Sequence, residues 1–291
     1  MVTRGEARAR ALTVLDAADV PSPALDADVL LAHVAGVGKA HLVAHPEAEL
    51  PADAVRRYEA LVTRRAAGEP VAYLRGYKEF YGITFGVDDR VLVPRPETEI
   101  LVDAVRDFAG GRALTVVDVG TGSGAIAIAL ARTEPALRIV ATDVSADALA
   151  VARDNAAANG VAARITFLEG DLLAPIVEPV DCVAANLPYL RADALDDLSG
   201  DRAALAFEPR LATLSGTDGL DLIRRAVTDL QRVLRPGGAA FFECDPPQTA
   251  ALVLLLAPLG PTSLIPDLTG ADRVVAVHRS PSPAGSFALS E

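Results

Sequence analysis

Along residues 4–75 apolar positions recur every three or four residues, the spacing of amphipathic helices. Ala11, Leu12, Leu15 and Ala18 share one face of a first helix. Ser22-Pro23 then places a cap residue before a proline at the first helical position. Leu25, Val29, Leu30 and Val34 continue that apolar face until Gly36 and Gly38 end it. A further helix is predicted after Leu50-Pro51, with Val55, Tyr58, Leu61 and Val62 turned inward and a stop near Gly68. Residues 1–75 thus read as a small helical bundle. Further on the pattern changes. Strand-like runs (116–119, 138–142, 164–169, 180–185) alternate with helix-length segments such as 146–159 and 220–234. That alternation predicts an α/β fold, a Rossmann-like doubly wound sheet over 94–280. Residues 76–93 are expected to form a β-hairpin connector, and 281–291 a disordered tail.

Composition narrows the class. A chain of 291 residues that is 51% hydrophobic can bury a large core and suggests one large domain with a smaller one. Its net charge of −12 gives no general attraction to nucleic acid, so direct nucleic-acid binding is not expected. Residues 1–75 carry nine Lys and Arg against ten Asp and Glu, which argues against a DNA-reading module. Arg56, Arg57, Arg64 and Arg65 read as a solvated helix face. The start lacks an apolar leader, and the longest apolar runs are too short to span a bilayer. A cytoplasmic protein without a membrane partner is expected, with Cys182 and Cys244 as buried, reduced thiols. His33, His41 and His45 lack metal-ligand spacing, and no metal is predicted.

Candidate chemistry gathers where strands end. Val116–Val119 leads into Gly120-Thr121-Gly122-Ser123-Gly124 and then an unbroken Ala/Ile run, a strand, a glycine turn and a helix N-terminus. The turn has no GK[ST], so it lacks the lysine of a phosphate cradle, and its GxGxG spacing is not the dinucleotide GxGxxG. Asp143 ends the next strand about 20 residues on, where an acid holds ribose hydroxyls. A nucleoside without phosphates, such as S-adenosylmethionine, fits better than NAD. Asp171-Leu172 and Asn186-Leu187-Pro188-Tyr189 follow two more strands.

The last of these has its own logic. A planar amide or aromatic amine is a poor nucleophile, because its lone pair is delocalised. The Asn186 side-chain oxygen and the Leu187 carbonyl could accept from such an NH2 and set its orientation. Pro188 biases Leu187 toward extended backbone, and Tyr189 can pack on the planar group. Tyr73, Tyr77, Phe80, Tyr81 and Phe85 crowd one short stretch of a chain only 4% aromatic. They suit a hairpin packed between domains, a wall of the substrate pocket, or both. Arg95, held between Pro94 and Pro96, is a further substrate-side candidate.

Six segments carry a resemblance over nearly the whole chain: GEPVAYLRGYKEFYG (68–82), VLVPRPETE (91–99), DVGTGSGAIAIAL (118–130), NLPY (186–189), FEPRLA (207–212) and DLTGADRVV (267–275). In these the chain resembles the HemK-type release factor glutamine methyltransferases. The resemblance implies methyl transfer from S-adenosylmethionine to the side-chain amide of the glutamine in a release factor's Gly-Gly-Gln loop. It also implies that the N-terminal helical domain helps hold this protein partner. The donor is then placed over Gly120–Gly124, with Asp143 on its ribose and Asp171 and Leu172 near its adenine, in a monomeric enzyme. Two departures stand out. Leu187 replaces the usual proline of NPPY, and NLPY also occurs in adenine-directed ribosomal RNA dimethyltransferases. Asp245, in FECDPPQ (242–248), stands where similar proteins often have glycine. A ribosomal-protein glutamine, an adenine in nucleic acid and a non-catalytic translation-factor binding module are the alternatives.

Overall fold

Thr3 opens the first helix with a reciprocal cap: its hydroxyl accepts from Glu6 N, and the Glu6 carboxylate accepts from Thr3 N. In the computed structural model, which describes residues 2–195 and 200–281, that helix belongs to the smaller of two compact units. This unit comprises Met1–Lys78, Val87–Asp89 and Asp193–Pro209. Its elements are β1 (Val2–Thr3), α1 (Arg4–Ala17), α2 (Pro23–Ala35), α3 (Lys39–Ala44), β2 (Glu49–Leu50), α4 (Ala52–Ala66) and α5 (Val71–Arg75). Gly36 ends α2 in the left-handed conformation, as the pattern predicts, but the short α3 follows directly. Leu15, Leu30, Leu31, Tyr58 and Val62 form the core of the unit. Tyr58 is fully inside because its hydroxyl donates to Ala27 O at 3.0 Å.

The larger unit comprises Glu79–Gly86, Arg90–Ala192 and Arg210–Glu291. β3 (Tyr77–Phe80) and β4 (Ile83–Gly86) form a two-stranded sheet. There follow α6 (Glu99–Ala109), β5 (Thr115–Val119), α7 (Ala125–Thr133), β6 (Arg138–Asp143), α8 (Ala146–Ala158), β7 (Ile165–Glu169) and β8 (Val180–Ala185). Then come α9 (Asp221–Val233), β9 (Leu234–Glu243), α10 (Thr249–Leu256), β10 (Thr262–Pro266) and β11 (Asp272–His278).

The seven-stranded sheet runs β10-β11-β9-β8-β5-β6-β7. β7, β6, β5, β8 and β9 are parallel, and β11 is antiparallel to both β9 and β10. The chain leaves β5 toward β6 and later returns to β8 on its other side, so the crevice beyond β5 and β8 is the switch point where ligands bind in such sheets. Arg235–Gly238, which reads as a turn, instead lies within β9. The register there moves from Val180 opposite Leu234 to Cys182 opposite Ala239. Cys182 and Cys244 are free and buried. No helix of the described residues is long and apolar enough to cross a membrane. The tail expected at 281–291 lies, apart from Pro281, outside the described residues.

Candidate active site

The glycine turn after β5 needs its glycines for different reasons. Gly120, Gly122 and Gly124 have φ of +70°, +54° and +84°. A β-carbon on Gly124 would lie 2.9 Å from Ile128 Cδ1 and 3.2 Å from Ala152 Cβ, so this glycine lets α7 and α8 approach. At Gly122 nothing stands within 4 Å of that position, so its backbone faces open space. Gly120 N and Thr121 N both donate to Thr142 O at 2.9 Å, pinning the turn to β6.

Two carboxylates frame the turn. Asp143 Oδ2 accepts from Gly122 N, and its Oδ1 accepts from Ser145 N, each at 2.9 Å. Burial raises its pKa. Asp118, with no exposed surface, accepts through Oδ2 from Thr121 Oγ1 at 2.6 Å and Ala127 N at 3.1 Å. Burial pushes its carboxyl up to about 6, and its Oδ1 has no partner among the described residues.

Beyond β7, Leu172 takes a left-handed backbone (φ +50°), and its carbonyl accepts from Thr142 Oγ1 at 3.0 Å. Asp171 is exposed and ion-paired to Arg225 of α9. Beyond β8, Asn186 Nδ2 donates to Thr98 Oγ1 at 2.8 Å. Leu187 is buried against the glycine turn, where a β-carbon on Gly120 would meet its Cδ2 at 3.0 Å. Pro188 and Tyr189 are half-buried. The Tyr189 phenol lies 3.5 Å from Glu243 Oε1, and its carbonyl accepts from Gln248 Nε2 at 2.9 Å. Burial and the Glu243 charge raise the phenol's pKa, and the Arg95 charge acts against them.

Gly120–Gly124, Asp143, Leu172 and Asn186–Tyr189 therefore all fall at the carboxyl ends of β5 to β8. Phe80 does not join them as an exposed wall: it is buried, its ring 6.0 Å from that of Phe85. Asp245 has φ −71° and ψ 139°, a backbone that does not call for glycine, and caps a short turn through Gln248.

Three site residues escape a linear reading. Asp118 sits inside the glycine motif, but its place in a strand hides its role as anchor of the turn. Thr98 and Glu243 lie 88 and 57 positions from Asn186 along the chain, and only the fold makes them neighbours.

Comparison with known proteins identifies the domains and the relatives of the chain. Residues 6–76 match the PrmC N-terminal domain family, and residues 96–202 match the methyltransferase small domain. The chain is 40% identical over 283 residues to the release factor glutamine methyltransferase of Moorella thermoacetica, covering 96% of this chain and 99% of that protein. The corresponding Burkholderia pseudomallei enzyme is 42% identical over 247 residues, 82% of this chain and 86% of that one. Among solved structures, the hMettl16 catalytic domain in complex with MAT2A 3'UTR hairpin 1 aligns with a TM-score of 0.56 at 16% identity, covering 84% of this chain and 85% of that one, a likeness of fold.

Sheet, glycine turn and domain match define an S-adenosylmethionine-dependent methyltransferase. Within that class the chain belongs to the release factor glutamine methyltransferase family. Its substrate is a release factor, methylated on a glutamine.

Proposed function

We propose that the target is the glutamine of the release factor's Gly-Gly-Gln loop and that Asn186, Leu187, Pro188 and Tyr189 present its side-chain amide for methylation. The observation that carries this reading is the fixed Asn186 amide: with Nδ2 committed to Thr98, Oδ1 is the end left to accept from a target NH2. The Leu187 carbonyl supplies the second acceptor, which a leucine offers as well as a proline does. Tyr189 packs on the planar amide, and Arg95 borders the substrate side. Two acceptors on one NH2 turn the nitrogen lone pair out of conjugation and along the line of attack, so positioning supplies most of the rate.

S-adenosylmethionine supplies an electrophilic methyl group on a sulfonium. The residues present fit it. Gly122 leaves room for close approach, Asp143 keeps lone pairs for ribose hydroxyls, and no lysine is built in for a phosphate. Thr121 and Ser123 shape the turn, and Leu172 and Asp171 border the adenine side. Residues 1–75 serve to hold the protein substrate. The enzyme acts as a cytoplasmic monomer without direct nucleic-acid contact, a reading supported by the net charge of −12.

The test is peptide mapping by mass after incubation of purified release factor, ribosomal proteins and ribosomal RNA with enzyme and donor. One methyl group on the Gly-Gly-Gln glutamine is expected. Methylation of RNA or of a ribosomal protein alone would contradict the reading.

A further inference from the structure

The aromatic stretch 68–86 ends in strand β4, and the chemistry assigned to Asn186–Tyr189 makes no use of it. Phe80, Ile83 and Phe85 are buried, so the β3–β4 hairpin is packed rather than open to a substrate. Its later half is tied down at both ends. Tyr81 N donates to Glu99 Oε1 of α6 at 2.7 Å, and Gly86 is held by Asn155 of α8.

Asn155 is buried, and the other buried residues of α8 are alanine, leucine and valine. Asparagine favours a helix less than alanine does and is costly to bury unpaired. Here its amide is fully used. Oδ1 accepts from Gly86 N at 2.7 Å, and Nδ2 donates to Gly86 O at 3.0 Å and to Ser123 O at 2.9 Å. A backbone N–H only donates and a carbonyl only accepts, so these partners fix which end of the side chain faces where. The Ser123–Gly124 peptide is then held at both edges, because Gly124 N donates to Thr121 O at 2.8 Å. Ala152, nearly one turn earlier on α8, stands where a β-carbon on Gly124 would touch it at 3.2 Å. One helix thus fastens β4 to the glycine turn.

We propose that Asn155 is a positioning residue for donor binding, bracing the Gly120–Gly124 turn against the β3–β4 hairpin through Ser123 O and Gly86. The proposal rests on the reading of that turn as the seat of S-adenosylmethionine. It gives the aromatic hairpin a role on the donor side, with Phe80 and Phe85 anchoring the strand against which the turn is set.

The experiment measures donor affinity by calorimetry, kcat and KM for release factor, and melting temperature for N155A, N155D and G122A. N155A is expected to weaken donor binding at least about tenfold, while kcat and KM for release factor at saturating donor stay within about threefold. A residue serving stability alone would lower the melting temperature and leave the donor affinity of the folded protein unchanged. N155D keeps an acceptor for Gly86 N but turns an oxygen toward two carbonyls. Burial beside those carbonyls raises the pKa of the introduced carboxyl, and its proton restores one donor. Relative to wild type at the same pH, N155D binds donor as weakly as N155A at about pH 8 and recovers at least about threefold at about pH 5.5, whereas N155A shows no recovery. In the wild-type protein, saturating donor slows hydrogen exchange of Gly86 N–H at least about tenfold, a readout that needs no variant to fold. Wild-type donor affinity in folded N155A, an N155D defect unchanged by pH, or no donor-dependent protection of Gly86 overturns the proposal while G122A still binds donor weakly. Wild-type affinity in G122A removes the reading of the turn beneath it.

Discussion

Leu187 and Gly120 pack against each other so closely that a β-carbon on the glycine would lie 3.0 Å from the leucine Cδ2. This contact joins the loop after β8 to the turn after β5. It predicts that Gly120→Ala loses about 1–2 kcal/mol, from the positive φ and the crowding together. Leu187→Ala removes the crowding but opens a cavity, at about 2–4 kcal/mol. The double variant should be less unstable than the sum, by about 0.5–1 kcal/mol, in denaturant titrations of all four proteins. Strict additivity would mean that the two side chains do not meet.

Gly122 and Gly124 should separate binding from folding. Gly122→Ala puts a methyl group into open space beside the ligand cradle. Its donor affinity should fall at least about tenfold, with a stability cost near 1 kcal/mol for the positive φ. Gly124→Ala drives a methyl group between Ile128 and Ala152 and should cost about 2–3 kcal/mol. Calorimetric donor titration and thermal melting read the two effects separately.

Asp143 holds the turn through Gly122 N and Ser145 N. Asp143→Asn keeps one acceptor and trades the other for a donor facing those N–H groups. Donor affinity is expected to fall at least about tenfold while kcat at saturating donor falls less, since Asn186 and the Leu187 carbonyl, the proposed acceptors for the target amide, are untouched. A larger loss in kcat than in donor affinity would count against the ribose role.

The pH dependence of stability tests the burial of Glu243. Burial pushes its carboxyl up to about 7 from an ordinary 4.5, against the opposing pull of Thr98, Arg273 and Tyr189, with Glu97 adding to the rise. The folded state then binds the proton more tightly than the unfolded chain. Its contribution is fully present below about pH 4.5 and is lost as pH rises through about 7, on the order of 3 kcal/mol in all. Asp118, pushed up to about 6, acts in the same direction. Glu243→Gln should flatten the Glu243 part of this decline and leave the protein more stable than wild type at pH 8.

Much of this architecture can be read along the chain because its signals are local. The predicted strand 180–185 coincides with β8, and the predicted helix 146–159 exceeds α8 by one residue. GTGSG and Asp143 are found by spacing, since a parallel βαβ unit places them together whatever the rest of the fold does. Thr98 is hidden because a threonine before a helix already has an explanation as a helix-start residue. Glu243 looks like the polar end of a strand, and only the fold buries it. The Arg235–Gly238 bulge is hidden because Pro and two glycines signal a turn, while pairing with β8 and β11 draws the segment into β9. Asp193–Pro209 belongs to the smaller unit although it lies far along the chain from the first helices, a long-range association with no periodic signature.

The most direct test is the single-turnover rate of methyl transfer to purified release factor by Asn186→Ala, measured beside its affinity for S-adenosylmethionine. With Oδ1 as one of two acceptors that orient the target amide, the rate should fall at least about a hundredfold while donor affinity changes less than about fivefold. A wild-type rate with intact donor binding would contradict the account at its centre, because Asn186 would then present nothing to the glutamine.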